Sequence, residues 1–574
     1  MKTRQTVVRL FVLAIALACA GTHAQAQTTN YWKNTGTDWG TAGNWIGTVP
    51  GSTDVAAFTN ATSANQPSLG ADFSLGMLWK AGTGTITVNA SSLRALTWYG
   101  LDVGGTVYGI RVDSGSGALT LGANVSNVLQ NSQTWLNNSA SALTVSGAIN
   151  NNGNTLTIDG SGPTMITSNL FGTGGLSKVG AGTLTLSGAN SYSGGTTINA
   201  GILALGANTA AGSGSISFNG GTRLIVNNGV TIANDITIGS NGGIAGRGLI
   251  ENSGNGGNAI VNGTITINNV ASGGGHFASS GTGSLTINGA VNSTGPTVFQ
   301  RLGTVMFSGG GSYNNFQNTG TTLIGAENGL ATNAVLNLAV SGAGTFNLNG
   351  HNQTLAGLQN TAGANAAIVT NRGGAATLTL KVGTGNSYVY SGVVASASLS
   401  LVKDGAGTQI LGGNNTYNGV TLINNGVLQI GNGGASGTLG TGNITNLASL
   451  VFNRSDAFTV TNLITGAGSL TQIGPGTLEL TRNNSYAGGT MVSNGTLLVN
   501  NTTGFGTGSG AVTVWGSGTL GGTGAVASLT LQSGAVLSPG NSVGTITIPT
   551  LTMQSGSTNL IEITSPTLAP GTYD

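Results

Sequence analysis

Cysteine is almost missing: the 574 residues hold one, Cys19. Charge is nearly as scarce, with only 5 % of residues Asp, Glu, Lys or Arg. A usual chain carries about 25 %. Aromatics make up 5 %, and there are 9 Pro. Past residue 20 no apolar run approaches the roughly 20 residues of a membrane-spanning helix. Each shortage excludes a class. Without cysteine pairs there is no disulfide scaffold. Without abundant proline and glycine at every third position, there is no collagen. With four Glu and few Lys, a helix-rich enzyme is a poor fit. Classical disorder needs low hydrophobicity and high charge, whereas 39 % of this chain is hydrophobic and its mean hydropathy is +0.18. What the chain does have is 102 Gly, and Thr, Val, Ile and Leu in short runs cut by Gly, Asn and Ser. That is an all-β composition.

The start reads as an export signal. Lys2, Arg4 and Arg9 form a positive region, Leu10 to Ala20 a short apolar one, and Ala24-Gln25-Ala26 a small-x-small cleavage pattern. Residues 1–26 are therefore expected to be a signal peptide, with the mature chain starting at Gln27. A lipoprotein signal at Cys19 is the alternative, but Ala16-Leu17-Ala18 matches its pattern poorly. Cleavage removes three basic residues, leaving thirteen Lys and Arg against fourteen Asp and Glu. No basic surface remains for nucleic acid. With Cys19 removed too, hydrogen bonds and an apolar core must hold the chain.

The chain repeats itself. Leu176 to Leu205 reads LSKVGAGTLTLSGANSYSGGTTINAGILAL, Leu401 to Ile430 reads LVKDGAGTQILGGNNTYNGVTLINNGVLQI, and Leu470 to Val499 reads LTQIGPGTLELTRNNSYAGGTMVSNGTLLV. A worn copy, GTVMFSGGGSYNNFQNTGTTLI, occupies 303–324. Within one copy Leu184 and Leu186 alternate with Thr183 and Thr185, the period of a half-buried strand. Gly188-Ala189-Asn190 breaks it, Ile198 sits in a second strand, and Leu203 and Leu205 alternate in a third. Strands this short are unstable alone. Stacked as coils of about 20–25 residues, they bury one continuous apolar column. The expectation is an all-β fold, a right-handed parallel β-helix (β-solenoid) of roughly two dozen coils. A propeller would need a steady period near 40–50, and a sandwich array would need linkers. Asn190 and Tyr192, Asn415 and Tyr417, and Asn484 and Tyr486 recur in step. A structural role is favoured for them over a ligand-facing row: Asn as a left-handed turn residue, with Gly194, Gly419 and Gly488 supplying positive φ.

These copies resemble the autotransporter-associated β-strand repeat, also called the passenger-associated transport repeat. Spacer segments such as LNGHNQTLAGL and LSPGNSVGTITI are similar to those of the same proteins, as is the start YWKNTGTDWGTAGNWIGTVPGSTDVAAF. The resemblance implies a secreted or surface-displayed β-helical passenger whose repeats assist export and folding. It also implies the outer-membrane translocation machinery as a partner, or a C-terminal barrel or sorting anchor. The sequence stops at Gly571-Thr572-Tyr573-Asp574 without one, which reads as truncation. Gln409 stands where Leu184 does, putting that coil's inward pattern in question. Pro475 stands where Ala181 does and suits a turn.

Chemistry-bearing residues are few and scattered. The carboxylates include no D-x-D pair, and β-helix enzymes need clustered acids for Ca²⁺ or for acid–base work. Asp456 and Glu479, one coil apart in number, are the one weak candidate pair. His276 in GGGHF and His351 in NGHNQ read as loop residues, without the convergent ligands a metal needs. Gly273-Gly274-Gly275 and Gly309-Gly310-Gly311 read as loops, since neither follows a strand and opens a helix. No catalytic, cofactor-binding or metal residue is therefore assigned, and no cofactor. Trp32, Trp39 and Trp45 fall close together near the mature start, followed by Trp79 and Trp98. A cap over the first coil is favoured over a sugar-stacking patch.

The layout expected is a signal peptide over 1–26, a Trp-rich cap and first coils over 27–110, and a β-helix over 111–574. The function expected is a non-enzymatic structural or adhesive element, secreted or on the cell surface. Surface glycans or other cell-surface polymers are the expected partners, through water-mediated hydrogen bonds. A polysaccharide-active lyase or hydrolase is the alternative, and an ice- or matrix-assembling solenoid on Thr-x-Thr rows a third.

Overall fold

The structure is a computed structural model. It describes residues 27–562 apart from 63, 219–220, 240–248, 269–274, 296, 339–343, 362–366 and 541–542. The expected signal peptide, Cys19 and the last residues lie outside that range. The chain divides into two compact units, Met1–Pro296 and Thr297–Asp574.

Short strands dominate both, and one 3-10 turn, Ala42–Asn44, is the only helical element among the described residues. The fold is the expected all-β parallel solenoid, of about 23 turns. In the first unit one face runs Leu119–Leu121, Leu143–Val145, Thr164–Ile166, Thr183–Leu186, Ile202–Leu205 and Arg223–Val226, each strand parallel to the next. The register stacks like on like: Leu119 on Leu143, and Leu184 on Leu203 and then Leu224. All of these are buried. Alternation explains it, because every second side chain points inward and meets the same inward position one coil away. Among the described residues two ladders depart from the parallel rule, Thr29–Trp32 with Trp45–Ile46 and Leu101–Val103 with Thr106–Val112.

Coil length is less regular than expected. Leu184 to Leu203 closes a turn in 19 residues, whereas Ile86 to Leu119 takes 33. In the longer turn the extra chain includes the antiparallel hairpin of Leu101–Val103 with Thr106–Val112, and the stacked strands keep register around it.

The second unit follows the same plan, with Leu378 on Leu401 and Leu428 on Leu450 and then Leu470. Gln409 keeps the inward pattern that its polarity put in question. It lies fully buried in Thr408–Leu411, at the position Leu184 occupies in its own copy. Its amide takes the place of missing ladder bonds. The Leu358 N–H donates to Oε1 at 3.1 Å, and Nε2 donates to the Leu358 and Tyr388 carbonyls at 2.8 and 3.1 Å. Leu358 is 51 residues away, two coils back. The polar side chain is there because the backbone at that seam would otherwise be left unpaired.

Candidate functional site

The feature that recurs with constant geometry is the repeat itself. In the first copy, Leu176–Lys178 lies parallel to Thr196–Ile198, and Thr183–Leu186 to Ile202–Leu205, so the segment stacks on itself. Between these strands, Ala189 to Ser193 forms a side of the coil without a ladder strand. Asn190 fills the gap. The Leu170 N–H, one coil below, donates to its Oδ1 at 2.8 Å, and its Nδ2 donates to the Ala210 carbonyl, one coil above, at 2.6 Å. Asn415 bonds the Val394 N–H at 2.8 Å and the Thr438 carbonyl at 2.6 Å. Asn484 bonds the Ile464 N–H at 2.9 Å and the Gly506 carbonyl at 2.7 Å. Each asparagine thus ties three successive coils through backbone atoms.

The tyrosine two residues on closes the same corner. Tyr192, Tyr417 and Tyr486 are fully buried. Their hydroxyls bond Thr196, Thr421 and Thr490 at 2.6, 2.7 and 2.6 Å. Burial raises the phenol pKa of all three. In the worn copy Tyr313 is buried too, and its hydroxyl accepts the Ala331 N–H at 3.2 Å.

The turn chemistry differs from expectation. Asn190, Asn415 and Asn484 are not left-handed; among the described non-glycine residues positive φ falls on Asn34, Asn152, Asn328 and Asn349. Nor do Gly194, Gly419 and Gly488 supply it, since the positive φ belongs to Gly195 and Gly489. Those three glycines are needed for closeness: a Cβ there would collide with the backbone of Gly174, Leu399 and Gly468 in the coil below.

A further group escaped the sequence reading. Lys178, Lys403 and Gln472, the third residue of each copy, point inward and are buried. Lys178 Nζ donates to the carbonyls of Gly180 and, at 3.3 Å, Ala200. Lys403 Nζ donates to Asp404, Gly405 and Asn425 carbonyls at 2.8, 2.8 and 3.0 Å. Gln472 Nε2 reaches Gly474 and Gly476 at 2.9 and 3.2 Å. Lys80 makes the same kind of bond to Gly82. Burial pulls the Lys178 and Lys403 ammonium groups down to about 8, against a smaller opposing pull from Asp159 and Asp404. The signal was in the alternation: a donor recurs where the strand period demands an apolar residue.

The scattered candidates stay scattered. Glu479 stands in register with Thr459, not with Asp456. Asp456 is paired with Arg454 at 2.8 Å, and Glu479 accepts from the Thr459 hydroxyl and the Asn500 amide at 2.6 and 2.7 Å. Those hydrogen bonds hold both carboxyls below their ordinary range, the Arg454 bond for Asp456 and the Thr459 bond first for Glu479. His351 lies 3.9 Å from Glu327 on an open surface, and His276 starts the strand His276–Ser279. Gly273 and Gly274 lie outside the described residues. Among the described residues no three His, Cys, Asp or Glu gather as metal ligands. Trp32, Trp39 and Trp45 are at most 1 % exposed. They stack edge-on at 5.0 Å with Phe58 beside them, so none offers a face to a sugar.

The model of the passenger-associated transport repeat matches residues 176–205, 401–430 and 470–499. The chain carries three passenger-associated transport repeats. Those matches are the three segments in which the asparagine clamp, the buried tyrosine and the inward donor coincide. The repeat protein is also 31 % identical over 493 residues to a protein of Brucella suis biovar 1 (strain 1330), the BmaC autotransporter adhesin. That alignment covers 73 % of this chain and 14 % of the adhesin, so the chain spans about a seventh of its relative's length. No solved structure matches it.

Proposed function

We propose that this chain is the β-helical part of a surface-displayed adhesive passenger, in which the coils act as a scaffold and the repeats as its fastenings. The observation that carries the reading is the coincidence of three matched repeats with clamps that each tie three coils. The likeness to a named adhesin agrees with it. The role is geometric and non-enzymatic, and the polymer bound is a surface glycan. In the first unit Thr157, Ser177, Thr197, Ser217, Thr237 and Thr266 stack in register as an outward, half-buried row without charge. One hydroxyl about every 4.8 Å suits a neutral, hydroxyl-rich polymer better than a charged one. Export and translocation across the outer membrane follow from the same reading.

The test is retention of beads coated with the full chain on a glycan array and on cell surfaces. Retention above beads carrying a denatured control is expected. Retention equal to the control removes the adhesive role, and release of reducing sugar from a bound polymer would turn the reading to an enzyme.

A further inference from the structure

The matched repeats of the second unit contain three Asn-Gly pairs, and the fold treats them differently. An asparagine followed by glycine can react with itself: the glycine nitrogen attacks the side-chain carbonyl carbon. Asn418 is held away from that reaction. Its Oδ1 accepts the Thr441 hydroxyl at 3.0 Å, but the Gly419 N–H, the nitrogen that would attack, is committed to the Leu399 carbonyl at 2.9 Å. Asn425 is held too, its Nδ2 donating to Asp404 Oδ1 at 3.0 Å. Asn494 is arranged the other way. Its Oδ1 accepts the N–H of Gly495 itself at 2.9 Å, which sets that nitrogen against the carbonyl it would attack. The Ser517 hydroxyl, in the coil above, donates to the same oxygen at 3.4 Å, where negative charge would develop.

Exposure does not set this pair apart, since Asn494 and Gly495 are half-buried while Asn418 and Asn425 are exposed; the ladder does. The ladder to the next coil shifts register between Val492 and Asn494, leaving slack in a strand that is otherwise tightly paired.

We propose that Asn494-Gly495 is a self-modification site, at which the Asn494 amide becomes a carboxylate through a cyclic imide. The Gly495 nitrogen gives its proton to solvent base and bonds to the Asn494 Cγ. The Cγ–Nδ2 bond breaks, and the nitrogen leaves as ammonia. One water then opens the ring at either carbonyl, giving aspartate or isoaspartate. The sum is amide plus water to acid plus ammonia, with no change of oxidation state. The product adds a negative charge where acids and bases nearly balance. The isoaspartate form also lengthens the backbone at the register shift.

The experiment ages the full chain in mildly alkaline buffer and follows all three pairs by peptide mapping and isoaspartate detection. A sample kept unfolded in denaturant runs beside it. In the unfolded chain the three pairs should convert at similar rates. In the folded chain Asn494 should convert about tenfold faster than Asn418 or Asn425. Ser517→Ala should slow Asn494 several-fold and leave the other two unchanged. Equal rates at the three pairs in the folded chain, or an Asn494 slower than the others, overturn the proposal.

Discussion

The aromatic start of the first unit and the last described coil of the second use the same alternation and end differently. Trp32, Trp39 and Trp45 are shut away against Phe58. Leu551 and Met553 sit in register with the buried Leu529 and Leu531, yet they are 42 % and 43 % exposed. The inward position is a property of the strand, whereas burial is a property of what lies over it. A side chain stacked on only one neighbour keeps half its apolar surface wet and contributes correspondingly little.

That contrast can be broken at its strong end first. We propose that the tryptophan cluster covers the first coil. Deleting residues 27–60 should then lower the melting temperature markedly, and Trp39→Ala alone should cost about 3–5 kcal/mol. A melting transition that the deletion leaves unchanged would remove the covering role. Leu529→Ala should cost about 2–5 kcal/mol, against about 0.5 kcal/mol or less for Leu551→Ala in denaturant titrations. Equal costs would mean that something covers the last described coil in solution.

The clamps give the next sharpest test, because they should matter wherever a coil has neighbours on both sides. Asn484→Ala leaves the Ile464 N–H and the Gly506 carbonyl without their partner. It should cost about 2–4 kcal/mol and raise amide exchange in the coils below and above alike. The inward donors come last. Lys178→Ala should cost about 1–3 kcal/mol, while Lys178→Gln should cost less, since Gln472 does the same work in the third copy. Their pH dependence has a definite sign. Folding lowers the Lys178 and Lys403 pKa from an ordinary 10.5 to about 8. Between those values the unfolded chain binds more protons, so stability rises with pH from about 8 to 10. The double Gln variant should reduce that rise, leaving the part that Lys80, likewise lowered to about 8 by burial, supplies. Measurements belong below pH 10, above which the buried tyrosines, whose pKa is raised, begin to oppose it.

Much of this was legible in the residues. Leu184 and Leu186 against Thr183 and Thr185 gave the strand period, and three near-copies gave the stacking. Gln409 was visible as an anomaly, but its purpose was not, because its partners sit two coils back and no local pattern encodes them. Asn190 was placed in a structural role for the wrong reason. A left-handed turn is what asparagine does locally, and here a bond to each neighbouring coil prevailed. Lys178 was passed over because charge is ordinarily read as surface, and carbonyls converging at a corner are invisible to a linear reading. The mean coil length was legible, but the spread from 19 to 33 residues was not, because an insertion such as the Leu101–Val103 hairpin leaves the strand period intact.

The partners of the three clamp asparagines in the adjoining coils are all main-chain atoms: Leu170 N and Ala210 O, Val394 N and Thr438 O, Ile464 N and Gly506 O. A fastening of that kind asks nothing of its neighbours' side chains. In terms of inheritance, the thirty-residue unit is portable. Recombination can set it down between any two coils that keep the strand period, while the coils around it drift freely. The three matched copies sit among coils of other sequence in keeping with that portability.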